Sequence, residues 1–303
     1  MYRNKGHLCT VEEIGTKSPT GKDVVVKYQR SIVGEPTYFL YTLVSKLTGD
    51  NVLAFGTHQS RIKREKEILQ KIRDLKIPVN TPEAYEPKEL GITGMNGNQL
   101  LLEKITDPYG NVTTLADYIH QHPNDKEQIE KYLGQVGESV GHLHARHVFH
   151  GDLSLSNVLI NKENKITLID FGVDTTPHYN PTQGTKRDWK VFLSSCEKEL
   201  GPALSNYTAI MFDNYVRANT EFGRSAISWI TEDRFKKGQV AELIRFGIFD
   251  GNKFPYIDGF WKLLSQHSNL LENDPAIKKY SLQLPQPQTS LGQSIPAQLP
   301  KTE

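Results

Sequence analysis

Cysteine is nearly missing from this chain: Cys9 and Cys196 are the two among 303 residues. Two thiols can build neither a disulfide framework nor a cysteine-based zinc site, and they fit a reducing compartment. An excess of one charge is missing too. Lysine and arginine number 36 against 35 acidic residues, for a net charge of +1. That balance offers no bulk attraction to nucleic acid or to an anionic membrane. No apolar run is long enough to span a bilayer. The first residues, Met1-Tyr2-Arg3-Asn4-Lys5, lack the apolar stretch of a signal peptide. The expectation is a cytoplasmic protein without a membrane span; non-classical export leaves no mark of this kind. Internal repeats are also lacking. What remains is a chain long enough to bury a core with an internal cleft, as two lobes or as one unit.

Residues 1–57 read as β structure. Candidate strands are 8–14, 23–33, 37–46 and 51–55, punctuated by Gly, Pro and Asp. Residues 61–75 read as an amphipathic helix with Ile62, Ile68, Leu69, Ile72 and Leu75 as its apolar residues, ended by Pro78 and Pro82. A strand over 99–105 and a Pro-Tyr-Gly-Asn turn at 108–111 come next. Thr113 or Thr114 can cap the helix that follows, and 129–147 reads as a long helix. From about 190 the periodicity is mostly helical. From about 281 the chain turns Pro/Gln-rich and reads as a disordered tail. The pattern predicts an α+β chain with a small β-rich lobe carrying one main helix (1–105), a larger helical lobe (106–280) and a tail (281–303).

Chemistry concentrates in His150-Gly151-Asp152-Leu153-Ser154-Leu155-Ser156-Asn157 and, after twelve intervening residues, Asp170-Phe171-Gly172. Phosphoryl transfer needs a group that orients the nucleophile, metal ions on the phosphates, and cations along them. Asp152 can orient a hydroxyl and accept its proton. Asn157 and Asp170 offer oxygens to Mg²⁺, which prefers oxygen ligands. Two short strands, 158–160 and 166–169, would form a hairpin holding Asn157 and Asp170 at opposite ends of adjacent strands, facing one ion cluster. The alternative is two unrelated Asp-bearing turns. A metal site in the cluster His142, His144, His147 and His150 is set aside, because positions 142 and 144 cannot share a helix face.

The order and spacing of these residues resemble the protein-kinase-like superfamily, His-x-Asp-x-x-x-x-Asn followed by Asp-Phe-Gly. Gly151 replaces the usual Arg, and Ser154 stands where Ser/Thr kinases carry Lys. Both departures resemble the RIO and Bud32 atypical kinases and the bacterial lipopolysaccharide (Kdo-type) kinases. Aminoglycoside phosphotransferases share His-Gly-Asp but commonly continue with His-Pro. The resemblance implies a bilobal kinase-like fold, with ATP and Mg²⁺ (or Mn²⁺) as cofactors. Without an Arg at 151, pairing with a phosphorylated activation segment is lost, which implies activity without that switch. No Ala-Pro-Glu follows, so the activation segment is short. Asp188 resembles the helix-start Asp that holds the catalytic loop; a plain helix cap is the other reading.

Upstream, Arg64-Glu65 with Leu69 resembles the αC helix of this superfamily, especially its Bud32-like form. Glu65 is the candidate partner of the ATP lysine, with Glu67 as the alternative register. The lysine is Lys46 or Lys27. Strand counting favours Lys46, at the end of the third candidate strand; a third strand at 51–55 would leave the lysine displaced or absent. The segment 15–21 is either an eroded phosphate loop or a simple turn. Glu103 and Ile105 occupy the strand that would read adenine through its backbone. The implied function is an atypical Ser/Thr protein kinase acting on a protein substrate. The alternatives are a sugar or small-molecule kinase, and a nucleotide-binding pseudokinase.

Overall fold

The computed structural model describes residues 3–5, 9–29, 58–95, 99–171 and 181–219. All lie in the first of the chain's two units, Met1–Gln266. The strand expectations at 37–46 and 51–55, Lys46 itself, and the tail at 281–303 fall outside the described residues.

The N-terminal region is an antiparallel sheet. Its strands are β1 (Arg3–Lys5), β2 (Cys9–Lys17), β3 (Asp23–Gln29), β4 (Ala84–Tyr85) and β5 (Gln99–Glu103), in the order β1-β2-β3-β5-β4. The central strand β3 reads Val-Val-Val-Lys-Tyr, β-branched and suited to a half-buried pleat. Alternation sorts its side chains. Val24 and Val26 face a cluster with Tyr85 and Leu101, against which Ile14, Tyr28 and Met95 pack. Val25 and Lys27 face the other way, opposite Leu102 and Leu100 of β5. Helix α1 (His58–Asp74) supplies the buried Ile62, Ile68, Leu69 and Ile72.

Counting strands along the sheet corrects one expectation. The short β1 was not anticipated, and it moves Asp23–Gln29 from second place to third. Among the described residues, Lys27 therefore sits on the third strand of the sheet. In the segment 15–21, residues 15–17 end β2 and 18–21 form the turn to β3. Its turn is closed locally, with the Ser18 amide donating to the Lys22 carbonyl at 2.8 Å and the Gly21 amide to the Ser18 carbonyl at 2.9 Å. The Lys22 amide donates to Ser18 Oγ, and Pro19 has none to offer. A β-turn describes this geometry.

Helices dominate after β5. Thr114 caps α2 (Leu115–Gln121) in a reciprocal capping box with Asp117. Helix α3 (Lys126–His144) starts on the cap Asp125. The hairpin β6 (Val158–Ile160) and β7 (Ile166–Leu168) follows, then α4 (Pro181–Leu200) and α5 (Leu204–Ala218). Helices α3 and α5 meet along Gly134, Gly137 and Gly141, spaced to share one helix face. A Cβ at Gly137 would stand 2.1 Å from the Met211 carbonyl oxygen, and one at Gly141 would stand 2.6 Å from that of Tyr215. Only glycine lets the backbones approach so closely. Trp189 stacks on Phe212 at 4.3 Å between ring centroids and meets Tyr215 edge-on. Among the described residues, no helix is long and apolar enough to cross a membrane.

Candidate active site

The loop between α3 and β6 carries His150, Asp152 and Asn157, and its backbone is anchored from α4. Asp188 accepts the His150 amide at 2.8 Å and the Gly151 amide at 2.6 Å. The same carboxylate takes His144 Nε2 at 3.0 Å, while Tyr215 OH lies 3.0 Å from His144 Nδ1. Burial alone would raise the Asp188 pKa. The hydrogen bond and charge of His144, with the His150 amide, hold it below the usual carboxylate range. Asp188 therefore holds the catalytic loop, as the resemblance implied. It does so from the second turn of α4 and not from the helix start, so the cap reading does not apply.

Local bonds then shape the loop. His150 Nε2 lies 2.9 Å from the Ile169 carbonyl, which can only accept, so that nitrogen carries the proton. The ring packs on Phe171 at 4.5 Å. Gly151 adopts φ +82°, a left-handed conformation that suits glycine. Leu153 and Leu155 are fully buried and pin the segment, while Asp152 between them and Gly151 is exposed. The Asn157 amide nitrogen donates to the Asp152 carbonyl at 2.7 Å, and lies 3.4 Å from its carboxylate. That bond fixes the amide orientation and leaves Asn157 Oδ1 as the available ligand atom. The Ile169 amide donates to the Asn157 carbonyl at 3.0 Å, which ties the asparagine to the strand leading to Asp170.

Three distant segments meet at Lys27. Its ammonium donates to Glu65 Oε2 at 2.6 Å and to Asp170 Oδ1 at 2.8 Å. Lys27 and Glu65 are buried, whereas the Asp170 side chain is 42% exposed. Burial pushes the Glu65 carboxyl up, and the Lys27 charge opposes that shift. Asp170 holds φ +65°, uncommon for a residue with a Cβ, at the point where β7 gives way to Phe171. Glu67 lies on the exposed side of α1 and pairs loosely with Lys63, so the Glu65 register is the one seen. At the hinge, the Glu103 amide donates to Glu83 and the Lys104 amide to Asp23, each at 2.8 Å. The Glu103 carboxylate holds Lys22 at 2.9 Å. Ile105 is buried just beyond.

Asn157 Oδ1 and the Asp170 carboxylate are hard-oxygen donors. They suit a Mg²⁺ or Mn²⁺ ion that completes its shell with water and phosphate oxygens. Among the described residues, no cluster of three His, Cys, Asp or Glu could hold a metal. His144 and His150 are both buried and hydrogen-bonded. Cys196 is buried as well, and burial pushes its thiol up, away from nucleophilic use.

Sequence reading missed two features here. Arg187 Nε donates to the Gly151 carbonyl at 2.6 Å, and Ser195 Oγ accepts the Leu155 amide at 2.9 Å. Both lie on α4: Ser195, seven residues after Asp188, shares its helix face, and Arg187 is its chain neighbour, so both become legible once that helix is placed against the loop.

A sheet with one buried lysine–glutamate pair, joined to an Asp/Asn catalytic loop and an Asp-Phe hairpin, defines a protein-kinase-like molecule. The model of the lipopolysaccharide kinase (Kdo/WaaP) family matches residues 16–199, more than half of the chain, and the protein belongs to that family. A 3-deoxy-D-manno-octulosonic acid kinase of Vibrio parahaemolyticus is 28% identical over 158 residues, covering 52% of this chain and 61% of its own. The EKC/KEOPS complex subunit bud32 of Dictyostelium discoideum is 29% identical over 119 residues, covering 37% and 43%. A protein of Methanosphaera stadtmanae named "probable bifunctional tRNA threonylcarbamoyladenosine biosynthesis protein" is 31% identical over 158 residues, covering 51% of this chain and 26% of its own. The chain thus spans between about a quarter and three-fifths of these relatives' lengths.

Proposed function

We propose that this protein is an ATP-dependent kinase that phosphorylates a hydroxyl of an acidic sugar. The observation that carries the kinase reading is the Lys27–Glu65–Asp170 ion triad. It joins the sheet and α1 to the catalytic hairpin. The sugar acceptor is supported by membership of the Kdo/WaaP family and by the octulosonic acid kinase, which the chain matches over more of its length than the bud32 relative.

Each residue then has a task. Glu65 holds Lys27 extended toward the phosphates. Ile105 presents its backbone amide to the adenine, since no partner takes that amide among the described residues. Asn157 and Asp170 would hold the divalent cation, which supplies charge neutralisation along the phosphates when bound. Asp152 orients the acceptor hydroxyl and takes its proton. The acceptor oxygen bonds to the γ-phosphorus while the bond to the β–γ bridging oxygen breaks, and ADP leaves. The anchoring by Asp188 keeps Asp152 at a fixed place and requires no phosphate on the chain.

A second reading, an atypical Ser/Thr kinase acting on proteins, is favoured by the Bud32-like Arg64-Glu65 with Leu69 and by the bud32 relative. Incubation with γ-labelled ATP and either 3-deoxy-D-manno-octulosonic acid or a protein lysate separates the two. Label on the sugar alone supports the first reading. Label on Ser or Thr of proteins alone supports the second. Asp152→Ala should lower transfer roughly 100- to 10,000-fold, the usual share of general acid–base catalysis, while ATP still binds. Unchanged turnover in that variant would refute the mechanism.

A further inference from the structure

Gly151 leaves the catalytic loop without the arginine that many kinases carry before the catalytic aspartate. The space is served from elsewhere. Arg187 reaches from α4 and binds the Gly151 carbonyl through Nε at 2.6 Å. Its placement is fixed by its neighbours on the same helix. Gly184, one turn earlier, lies against Phe149, whose ring would stand 2.5 Å from a Cβ there. Asp188, one residue later, grips the amides of His150 and Gly151. The helix is thus locked to residues 149–151, and the guanidinium sits one peptide from Asp152.

That guanidinium lacks a counter-ion among the described residues. The acids that flank its contact with Gly151 are otherwise engaged: Asp188 with His144 and the loop, Asp152 with Asn157. Arg187 is half-buried, and with Nε engaged its two terminal nitrogens remain as donors in a planar fork. A fork of this kind matches a carboxylate in two parallel hydrogen bonds.

We propose that Arg187 binds the carboxylate of the acceptor and so turns its hydroxyl toward Asp152. This inference rests on the acidic-sugar reading and names the residue that would make the site selective for an acid. One cation thereby has two duties: Nε steadies the loop, and the terminal nitrogens recognise the acceptor.

The test compares kcat/KM for 3-deoxy-D-manno-octulosonic acid and for its carboxamide, in the wild-type protein, Arg187→Lys and Arg187→Gln. The acid-to-amide ratio should fall roughly 30- to 150-fold in Arg187→Gln, the worth of a charge-assisted bidentate contact. Arg187→Lys should retain part of the preference, because charge survives where the fork does not. Equal losses on acid and amide would overturn the inference, since they would mean that Arg187 only braces the loop. Phosphatase-sensitive activity in the wild type, with no acid preference, would also overturn it by assigning Arg187 to a phosphate on the chain itself. Transfer by the wild type to neither sugar would overturn the acceptor reading and this inference together.

Discussion

The two halves of the site are built by different means. On the catalytic side, residues 150–171 form one continuous stretch in which Asp152, Asn157 and Asp170 are placed by short-range turns and a hairpin. On the nucleotide side, Lys27 and Glu65 are 38 positions apart and meet only because a strand and a helix pack face to face. The first half is held by sequence-local hydrogen bonds plus contacts from one helix, α4, with Asp188 as the buried clamp. The second depends wholly on the pleat of β3 pointing Lys27 toward α1. A local constellation survives as a motif, whereas a tertiary one must be found in the fold.

The sharpest way to break this comparison is to remove the lysine. Lys27→Met should reduce kcat/KM for ATP by about 100-fold or more, as loss of one charge-stabilising donor commonly does. Lys46→Met should change it by less than about three-fold. The opposite ranking, measured by steady-state kinetics, would return the role to Lys46.

The clamp on the catalytic side comes next. Asp188 accepts two backbone amides and His144, and hydrogen bonds to charged groups contribute about 1.5–3 kcal/mol each. Asp188→Asn should therefore lower unfolding free energy by roughly 2–4 kcal/mol in denaturant titrations. Its folded pKa is depressed below the ordinary value of 3.8. The associated stability is present above that value and is lost as pH falls through the folded pKa. The variant should flatten this acid limb. An unaltered acid limb would show that Asp188 is not the group titrating.

Gly137→Ala tests the packing behind the loop. Alanine gains about 1 kcal/mol of helix propensity. Its Cβ, however, would press on a backbone oxygen that cannot rotate away. Overpacking of that kind costs about 1–3 kcal/mol, so a net fall in Tm of a few degrees is expected. A rise would mean that α3 and α5 can separate cheaply. The smallest effect belongs to the outer charges of the nucleotide side. Lys66 and Glu86 pair at 2.6 Å but both are nearly half exposed. Lys66→Ala should cost less than about 1 kcal/mol, and a larger loss would show that this surface pair braces α1.

How much of this was readable in the chain follows the same division. The amphipathic periodicity of α1, the Thr114 cap and the hairpin around Asn161–Lys165 are local signals, and all three elements form where those signals lie. Strand number was not readable. Arg3–Lys5 is three residues long and carries no apolar alternation, so nothing marked it, and its omission shifted the lysine by one strand. The contact of Arg187 with Gly151 was invisible for a related reason. The glycine announces only a missing side chain, and the replacement comes from 36 positions away. Asp188 was legible by resemblance, but its place within α4 depends on where the helix begins, the least predictable part of any element.

The glycine seam between α3 and α5 has an evolutionary consequence. Tyr215, on α5, hydrogen-bonds His144 at the end of α3, and His144 bonds the aspartate that holds the loop. Damage at Gly134, Gly137 or Gly141 would thus be felt at Asp152. A genetic screen for inactive variants should then recover substitutions at these three glycines alongside those at the acids. The target for loss of activity would be a long interior seam as well as a cleft.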